Sequence, residues 1–250
     1  MSVADVLNNR RTIRKYSDKV VDDELLTKLL TMAGRTSTCG NMQLYSVVVT
    51  HDADVKTKLA PAHFAQPACT GAPVLLTFCA DYHRFDKWCE QNKAVPGYNN
   101  IESLLSAAVD TIALAQSFSL LAEEQGLGIC YLGTTTYNPK PIAEALDLPE
   151  MVVPLVTLSL GYPDESPALV DRISSDGWIH KDTYHDYSAA DIDRIYGYKE
   201  SLPENVEFLK INKKQTLAQI FTDIRYTKKD GDFFSKAFID FLKEQGFLAK

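Results

Sequence analysis

The feature of this sequence that most restricts its fold is a long helical pattern that is apolar on more than one face. The pattern covers residues 101–125 and stops at Gly126. Its apolar positions spread around the helix instead of forming one stripe: Leu104, Leu105, Ala108, Ile112, Leu114, Ala115, Phe118 and Leu121. A helix that is apolar all round is buried and does not lie on a wetted surface. The sequence therefore predicts a central helix against which other elements pack.

Strand and helix patterns alternate on both sides of this central helix. Strands are predicted at residues 46–50, 73–80, 126–133 and 152–160, where apolar and β-branched residues stand between turn residues. Further helices are predicted at residues 3–9, 53–59 and 233–245. A separate helix is predicted to begin at an Asp22 cap, and another at residues 139–146 follows an Asn138 cap. This interleaving predicts a three-layer α+β or α/β domain and leaves the strand order open.

Composition and charge argue against several classes of protein. The chain has 250 residues, of which 45% are hydrophobic and 24% are charged, as in ordinary globular domains. The net charge of −7 disfavours a nucleic-acid partner, because phosphate contacts need a clustered positive face. No stretch approaches the roughly 20 consecutive apolar residues of a membrane span. The N-terminus lacks a secretory h-region, and five cysteines without a CxxC pair indicate reduced thiols. We predict a cytoplasmic protein with no membrane partner.

The common nucleotide, metal and nucleophile motifs are missing from the sequence. It contains no GxxxxGK[ST] loop, no HExxH pair and no GxSxG elbow. Gly126-Leu-Gly128 precedes a predicted strand and lacks the third glycine of a dinucleotide fingerprint. These patterns predict neither a metal site nor a catalytic acid, base or nucleophile.

Two polar clusters are the candidate binding segments. Residues 10–16 read Arg-Arg-Thr-Ile-Arg-Lys-Tyr. In an extended segment, side chains two apart point the same way, so Arg10, Thr12 and Arg14 share one face and suit a phosphate. A solvated charge run is the alternative, and spacing alone favours it. Residues 35–43 offer hydroxyls and amides between a helix and a strand, with an ordinary loop as the alternative.

Taken together, these segments resemble the FMN-dependent nitroreductase family, and most closely its NADPH-preferring nitroreductase and flavin reductase subgroup. The resemblance runs from Asn9 to about Tyr184. Its anchors are residues 9–16, the loop 36–43, Gln66, residues 78–81, 110–113, 126–133 and 160–163. The order and spacing of these anchors make the resemblance specific, although each one alone is weak.

The resemblance implies an overall architecture. It implies a three-layer α+β fold with a central mixed, mostly antiparallel sheet flanked by helices, in an intertwined homodimer. The chain is then one FMN-binding domain over residues 1–250, with residues 164–250 as a polar, mostly helical extension packing on the dimer. Two FMN sites lie at the interface, each lined by both subunits, and the long central helices pack against each other.

The resemblance also implies which residues hold FMN. Arg10, Thr12 and Arg14 match phosphate and ribityl ligands, Arg11 matches a position whose backbone lies against the flavin, and Arg172 matches the last phosphate ligand. Thr38, Cys39 and Asn41 match a loop supplied by the other subunit, Gln66 matches an amide, and Tyr131, Leu132 and Gly133 match a segment under the ring. Arg10 replaces a frequent histidine, Val170 replaces a frequent lysine, and Cys39 replaces a hydroxyl residue.

The implied activity is ping-pong hydride transfer from NAD(P)H through FMN N5 to nitroaromatics, quinones or free flavins. No acid or base side chain is required, so Asp110 on the central helix is expected to be structural, with a catalytic acid as the alternative. Arg225 is the best candidate for the nicotinamide phosphates among the basic residues near the C-terminus, with a solvated surface as the alternative. An FMN-sequestering protein and a relative with another flavin reaction, such as reductive dehalogenation, are the competing interpretations.

Overall fold

The computed structural model describes residues 2–248. The described chain forms two compact units. The first contains the residues up to Ala168 together with those from Phe234 onward, and the second is Leu169–Phe233. All predicted FMN-contacting residues except Arg172 fall in the first unit, so its architecture decides how most of the site is built.

The first unit contains a sheet with helices on both faces. Among the described residues its strands are β1 (Tyr45–Thr50), β2 (Val74–Asp81), β3 (Gly128–Leu132) and β4 (Val152–Gly161). Its helices are α1 (Val3–Asn9), α2 (Asp23–Ala33), α3 (Ala53–Leu59), α4 (Pro67–Thr70), α5 (His83–Gln91), α6 (Ile101–Glu124) and α7 (Pro139–Ala145). The predicted helices at 3–9 and 53–59 and all four predicted strands are confirmed, with boundaries that differ by at most two residues.

The second unit is helical in its described part. It contains α8 (Ala189–Ser201), α9 (Pro203–Ile211), α10 (Leu217–Ile220) and a π-helical turn at Phe221–Arg225. The last helix, α11 (Lys228–Glu244), begins in this unit, and its residues from Phe234 onward belong to the first unit. The interpretation of residues 1–250 as one domain stays a prediction.

The strand order is β1-β2-β4-β3, and every neighbouring pair is antiparallel. The segment that carries the arginines runs beside β3, where Thr12 forms a parallel bridge with Ile129. The backbone N–H of Ile13 donates to the Ile129 carbonyl at 3.0 Å. The pairing is thus mixed and mostly antiparallel, as the resemblance implies.

Strand β2 shows why the unit has three layers. All eight of its residues are buried, because helices cover both faces of the sheet. Val74, Leu76 and Phe78 pack in one cluster with α2 and α6, whereas Leu75 packs in another cluster with α3, α4 and α7. Side chains alternate between the faces of a strand, so this division places one helical layer on each side and confirms the predicted α+β architecture.

Helix α6 is the predicted central helix. It begins at an Asn100 cap, whose side chain accepts a hydrogen bond from the Ser103 N–H at 2.9 Å, and it packs against β2, β3 and β4. By length and composition it could also cross a membrane, with a mean hydropathy of 1.5. Leu105, Val109 and Ile112 are 60%, 62% and 53% exposed. The apolar pattern of α6 therefore includes one face that the chain itself leaves uncovered.

Asn138 stands at the N-cap position of α7, as predicted, but its side chain makes no capping hydrogen bond to the helix. Its amide Nδ2 donates instead to the Ala62 carbonyl at 2.8 Å. A side chain that faces a neighbouring element can satisfy a long-range carbonyl in place of its own helix end, and sequence spacing does not distinguish the two.

Candidate functional site

Two glycines allow residues 10–16, the arginine segment, to approach the sheet closely. A Cβ on Gly128 would lie 2.7 Å from the Ile13 side chain, and a Cβ on Gly161 would lie 2.8 Å from the Tyr16 ring. Real Cβ contacts are not this short, so these positions exclude any larger residue. The Tyr16 hydroxyl also bonds Ser159 Oγ at 2.7 Å. The segment is thus fixed in register beside β3 through the buried Ile13.

The side chains next to Ile13 point away from the core. Arg14 is exposed and Thr12 is half-buried, as alternation about the buried Ile13 requires. Burial raises the pKa of the Cys130 thiol, and the neighbouring guanidiniums of Arg14 and Arg10 act on it in the opposite direction. Arg10 and Arg14 are therefore both near the Cys130 side chain of β3.

The charges of these two arginines differ in availability. Arg10 forms an ion pair with Glu123 of α6 at 3.4 Å. Burial raises the pKa of Glu123, and Arg10 opposes that shift. In the described part of the chain Arg14 forms no ion pair. Its backbone N–H donates to Glu165 Oε1 at 2.5 Å. This bond is the main cause of the lowered pKa of Glu165, and the Arg14 charge adds to it.

A cavity of about 250 Å³ lies beside this segment. It is lined by Arg10 and Arg11 but by neither Thr12 nor Arg14. Arg11 Nη1 donates to the Asn9 carbonyl at 2.9 Å, and its buried Nε has no partner among the described residues. Arg10 and Arg11 thus line the same cavity, and Arg14 lies outside its lining.

The predicted under-ring segment ends at an open position. Tyr131 is 38% exposed, and its hydroxyl lies 3.3 Å from Gln116 Oε1 and 3.4 Å from Ser119 Oγ of α6. Leu132 is buried, whereas a Cβ on Gly133 would meet no atom within 4 Å. The packing of the chain does not require glycine there. The glycine keeps an open backbone surface that a flat ligand can approach closely.

Gln66 stands at the start of α4. Its backbone carbonyl accepts the Cys69 N–H at 2.8 Å, but its side chain makes no capping bond to α4. The two residues before it, Phe64 and Ala65, have left-handed φ values of 53° and 49°. Non-glycine residues in this region are strained and are held by surrounding structure.

The loop with Thr38, Cys39 and Asn41 is tied to the other end of α6. Asp110, which is buried, accepts the Cys39 N–H at 2.7 Å and the Leu44 N–H at 3.3 Å. Thr38 Oγ1 accepts the Gln43 N–H at 2.9 Å. The Asp110 carboxylate also raises the pKa of the Cys39 thiol, which therefore stays protonated near neutral pH. These bonds support the structural interpretation of Asp110.

Apart from Gln66 at the start of α4, the predicted residues of the first unit thus form two groups along α6. Asp110, which anchors the loop, and Glu123, which pairs with Arg10, are thirteen residues apart on the helix. At 1.5 Å per residue this is about 20 Å along the axis. One chain therefore presents a loop group and an arginine group at separate places on one helix.

The predicted residues of the second unit have local contacts. Arg172 is exposed and donates to the Val170 and Asp171 carbonyls at 3.3 and 2.8 Å. The Arg225 guanidinium stacks over the Phe208 ring at 4.6 Å. Among residues 2–248, no group of three or more histidine, cysteine or acidic side chains is placed to hold a metal ion.

The arginine group fits a flavin mononucleotide. Two guanidiniums near Cys130 of β3 suit its phosphate, and Arg14 forms no ion pair in the described chain. The backbone at Gly133 is open to a planar ring. These are features of the site itself and do not depend on what the chain resembles.

Comparison with known proteins decides the family. The model of the nitroreductase family matches residues 7–162. The chain belongs to the nitroreductase family. It is 30% identical over 212 residues to the FMN reductase [NAD(P)H] of Bacillus subtilis (strain 168), covering 84% of each chain. It is 29% identical over 217 residues to an NADPH-dependent oxidoreductase of Staphylococcus haemolyticus, covering 85% of this chain and 86% of that one.

A solved structure matches this nitroreductase over nearly its whole length. The crystal structure of a Bacteroides fragilis NCTC 9343 protein described as an oxidoreductase has 58% identity and a TM-score of 0.96, over 98% of this chain and 99% of that one. Together these findings confirm the resemblance, the fold and the class, an NAD(P)H-dependent FMN oxidoreductase. The homodimer, the cytoplasmic location and the individual site residues stay predictions.

Sequence reasoning missed the residues that hold the predicted ligands in place. Glu123 pairs with Arg10, Glu165 accepts the N–H groups of Arg14 and Lys15, and His63 bonds Thr134. Neither glutamate belongs to a recurring sequence pattern. The sequence signal of the histidine–threonine pair is small: a histidine three residues before Gln66 and a threonine directly after Gly133.

Proposed function

We propose that this NAD(P)H-dependent FMN oxidoreductase reduces nitroaromatic compounds, quinones or free flavins in a ping-pong cycle. The bound FMN supplies the hydride chemistry, at its N5 atom, and the protein supplies binding, orientation and shielding. The observation that supports the proposal is the presence of Arg10 and Arg14 near Cys130 of β3, three residues before the open backbone at Gly133.

In this proposal the arginine group, which comprises Arg10, Thr12 and Arg14, binds the phosphate of FMN. Arg14 offers a guanidinium with no carboxylate partner in the described chain, and Arg10 shares its charge with Glu123. Thr12, between them, adds a hydroxyl on the same face. Arg172 belongs to the second unit, and its role as a phosphate ligand stays a prediction of the family resemblance. Charge-assisted, bidentate bonds of this kind are the stronger class of hydrogen bond.

The backbone of the Tyr131–Gly133 segment orients the ring in this proposal. The strand ends at Leu132, so the peptide at Gly133 is free of the sheet ladder. An N–H held rigidly in a site that excludes water stabilises developing negative charge without reorganisation. No side chain has to give or take a proton for hydride transfer, and we assign none as catalytic.

A second copy of the chain completes the site in this proposal. The loop group and the arginine group are about 20 Å apart along α6, and the uncovered apolar residues Leu105, Val109 and Ile112 lie in the same stretch of the helix as Asp110. An antiparallel α6 pair crossing at Ile112 brings the Ser106 turn, which holds Cys39, opposite the turn with Gln116 and Ser119, which holds Tyr131. The loop of one copy then meets the Tyr131 segment of the other.

Steady-state turnover tests the proposed activity. The purified protein is expected to be yellow, to release FMN by mass, and to oxidise NAD(P)H when menadione or nitrofurazone is present. A protein that only sequesters FMN would show the same spectrum without turnover. If NAD(P)H oxidation with these acceptors is no faster than an FMN-only background, the proposed reduction of nitroaromatics and quinones is rejected. Turnover with halogenated aromatics alone would favour reductive dehalogenation.

A further inference from the structure

His63 is a buried titratable residue to which the proposed function gives no role. It ends the 3₁₀ turn Ala60–His63, three residues before Gln66, and its side chain is 0% exposed. The imidazole Nδ1 lies 2.8 Å from Thr134 Oγ1, and the buried Nε2 has no partner among the described residues. A buried polar atom without a hydrogen-bond partner costs free energy, so the presence of His63 at this position needs an explanation.

The partner of His63 lies directly beside the open position of the site. Thr134 follows Gly133, and its side chain is buried. The next residue, Thr135, donates to the Leu132 carbonyl at 2.8 Å and accepts the Thr157 N–H at 3.1 Å, which ties the turn to the sheet. Thr134 instead ties the turn to the 60–63 segment, and Asn138 adds a second tie to the Ala62 carbonyl.

The same hydrogen bond reaches a second predicted FMN segment. Phe64 and Ala65, in left-handed conformation, connect His63 directly to Gln66. Strained backbone of this kind persists only where neighbouring contacts determine it. The His63–Thr134 bond is a side-chain contact that joins the strained turn before Gln66 to the turn after Gly133, across a separation of 71 residues.

The chemistry of the pair favours a fixed geometry. Burial lowers the pKa of His63 to about 4, so the imidazole is neutral at physiological pH and carries a single N–H. Ala62, the chain neighbour of His63, belongs to an apolar cluster with Leu59, Cys69 and Leu132. In a buried site of low dielectric constant, a neutral hydrogen bond is stronger than it would be on the surface.

We propose that His63 is a positioning residue that fixes Thr134, and through it the Gly133–Thr134 peptide, relative to Gln66 where these groups face the bound FMN. The inference rests on the proposed function. His63 does not touch the reacting atoms; it sets the orientation of groups that do. Small misplacements of such groups reduce rates strongly even when binding is retained.

Four substitutions and one control test this role in the FMN-loaded protein. His63→Leu and Thr134→Val remove the bond, whereas His63→Asn keeps a polar atom near the Nδ1 position and Thr134→Ser keeps the hydroxyl. Thr57→Val is the control, because Thr57 is an exposed threonine that bonds only its own helix. Two readouts are measured: the visible circular dichroism of bound FMN, which reports ring orientation, and the rate of its reduction by NAD(P)H.

His63→Leu and Thr134→Val are expected to change the visible dichroism alike and to slow FMN reduction about tenfold or more, with KM for NAD(P)H within about twofold of wild type. The double variant should be no worse than either single one, because both remove one interaction. The two conservative variants and Thr57→Val should resemble wild type.

A lower melting temperature with unchanged dichroism and unchanged reduction rate in His63→Leu would overturn the inference and leave His63 a structural residue. So would additive effects in the double variant. If wild type itself binds FMN but does not turn over, the proposed function fails; the dichroism comparison still decides whether His63 positions the ring.

Discussion

Replacing Ile112 with glutamate is expected to convert the protein to a monomer that does not retain FMN. Ile112 is 53% exposed on α6, so a single chain can fold with glutamate there. In the proposed dimer the helices cross at this residue, and two carboxylates would be buried against each other. An uncompensated buried charge costs roughly 3–5 kcal/mol, which weakens the dimer by at least about a hundredfold. Sedimentation and FMN content per chain are the measurements.

The matched control is Val20→Glu. Val20 is an 81% exposed valine outside α6, so the same kind of charge is introduced on a surface that the proposal leaves in water. This variant should sediment as wild type and hold the same amount of FMN. An Ile112→Glu protein that remains dimeric and yellow would show that the exposed face of α6 is not the contact between copies.

Arg14→Ala is expected to weaken FMN binding about 10- to 150-fold, since hydrogen bonds to charged groups contribute roughly 1.5–3 kcal/mol. The reason is the position of the guanidinium over β3, where it acts on Cys130 and has no carboxylate partner in the described chain. A fluorescence titration of the apoprotein with FMN measures the loss.

Lys15→Ala is the control for Arg14→Ala. Lys15 is the next residue, is also exposed, and bonds Glu165 through its backbone N–H at 3.1 Å, which alanine preserves. Its side chain lies on the opposite side of the segment from Arg14. The control should bind FMN within about threefold of wild type, an effect too small for a phosphate ligand. Equal losses in the two variants would contradict the alternating arrangement.

Much of the fold follows from local sequence signals. The apolar pattern at 101–125 predicts α6, and the Asp22 cap is confirmed by its bond to the Glu24 N–H at 3.0 Å. These elements are set by neighbouring residues, and their hydrophobic faces are wide. The sequence pattern supplies no physical reason for Gly128 and Gly161. The structure supplies one, because each glycine makes room for a side chain of the arginine segment.

The parts that sequence reasoning could not supply are pairs between distant segments. The Arg10–Glu123 ion pair and the bonds from Asp110 to the 39–44 loop depend on which strand lies beside which helix. The order β1-β2-β4-β3 is not readable from periodicity. Asn138 shows the same limit, since its spacing predicts a cap while a long-range carbonyl takes its amide. The resemblance implies ligand positions but not the residues that form ion pairs or hydrogen bonds with them.

The most direct test of the central claim, that each FMN site is shared by two chains, is FMN binding by mixed dimers. One chain carries Arg14→Ala and the other Asn41→Gly, in which glycine suits the φ of 55° at that position. If the loop acts across the dimer, a mixed dimer has one intact site and one doubly impaired site. It should then bind FMN at wild-type affinity in one of its two sites, at concentrations where both parent variants stay mostly empty. Mixed dimers as empty as their parents would show that loop and arginines serve the same chain.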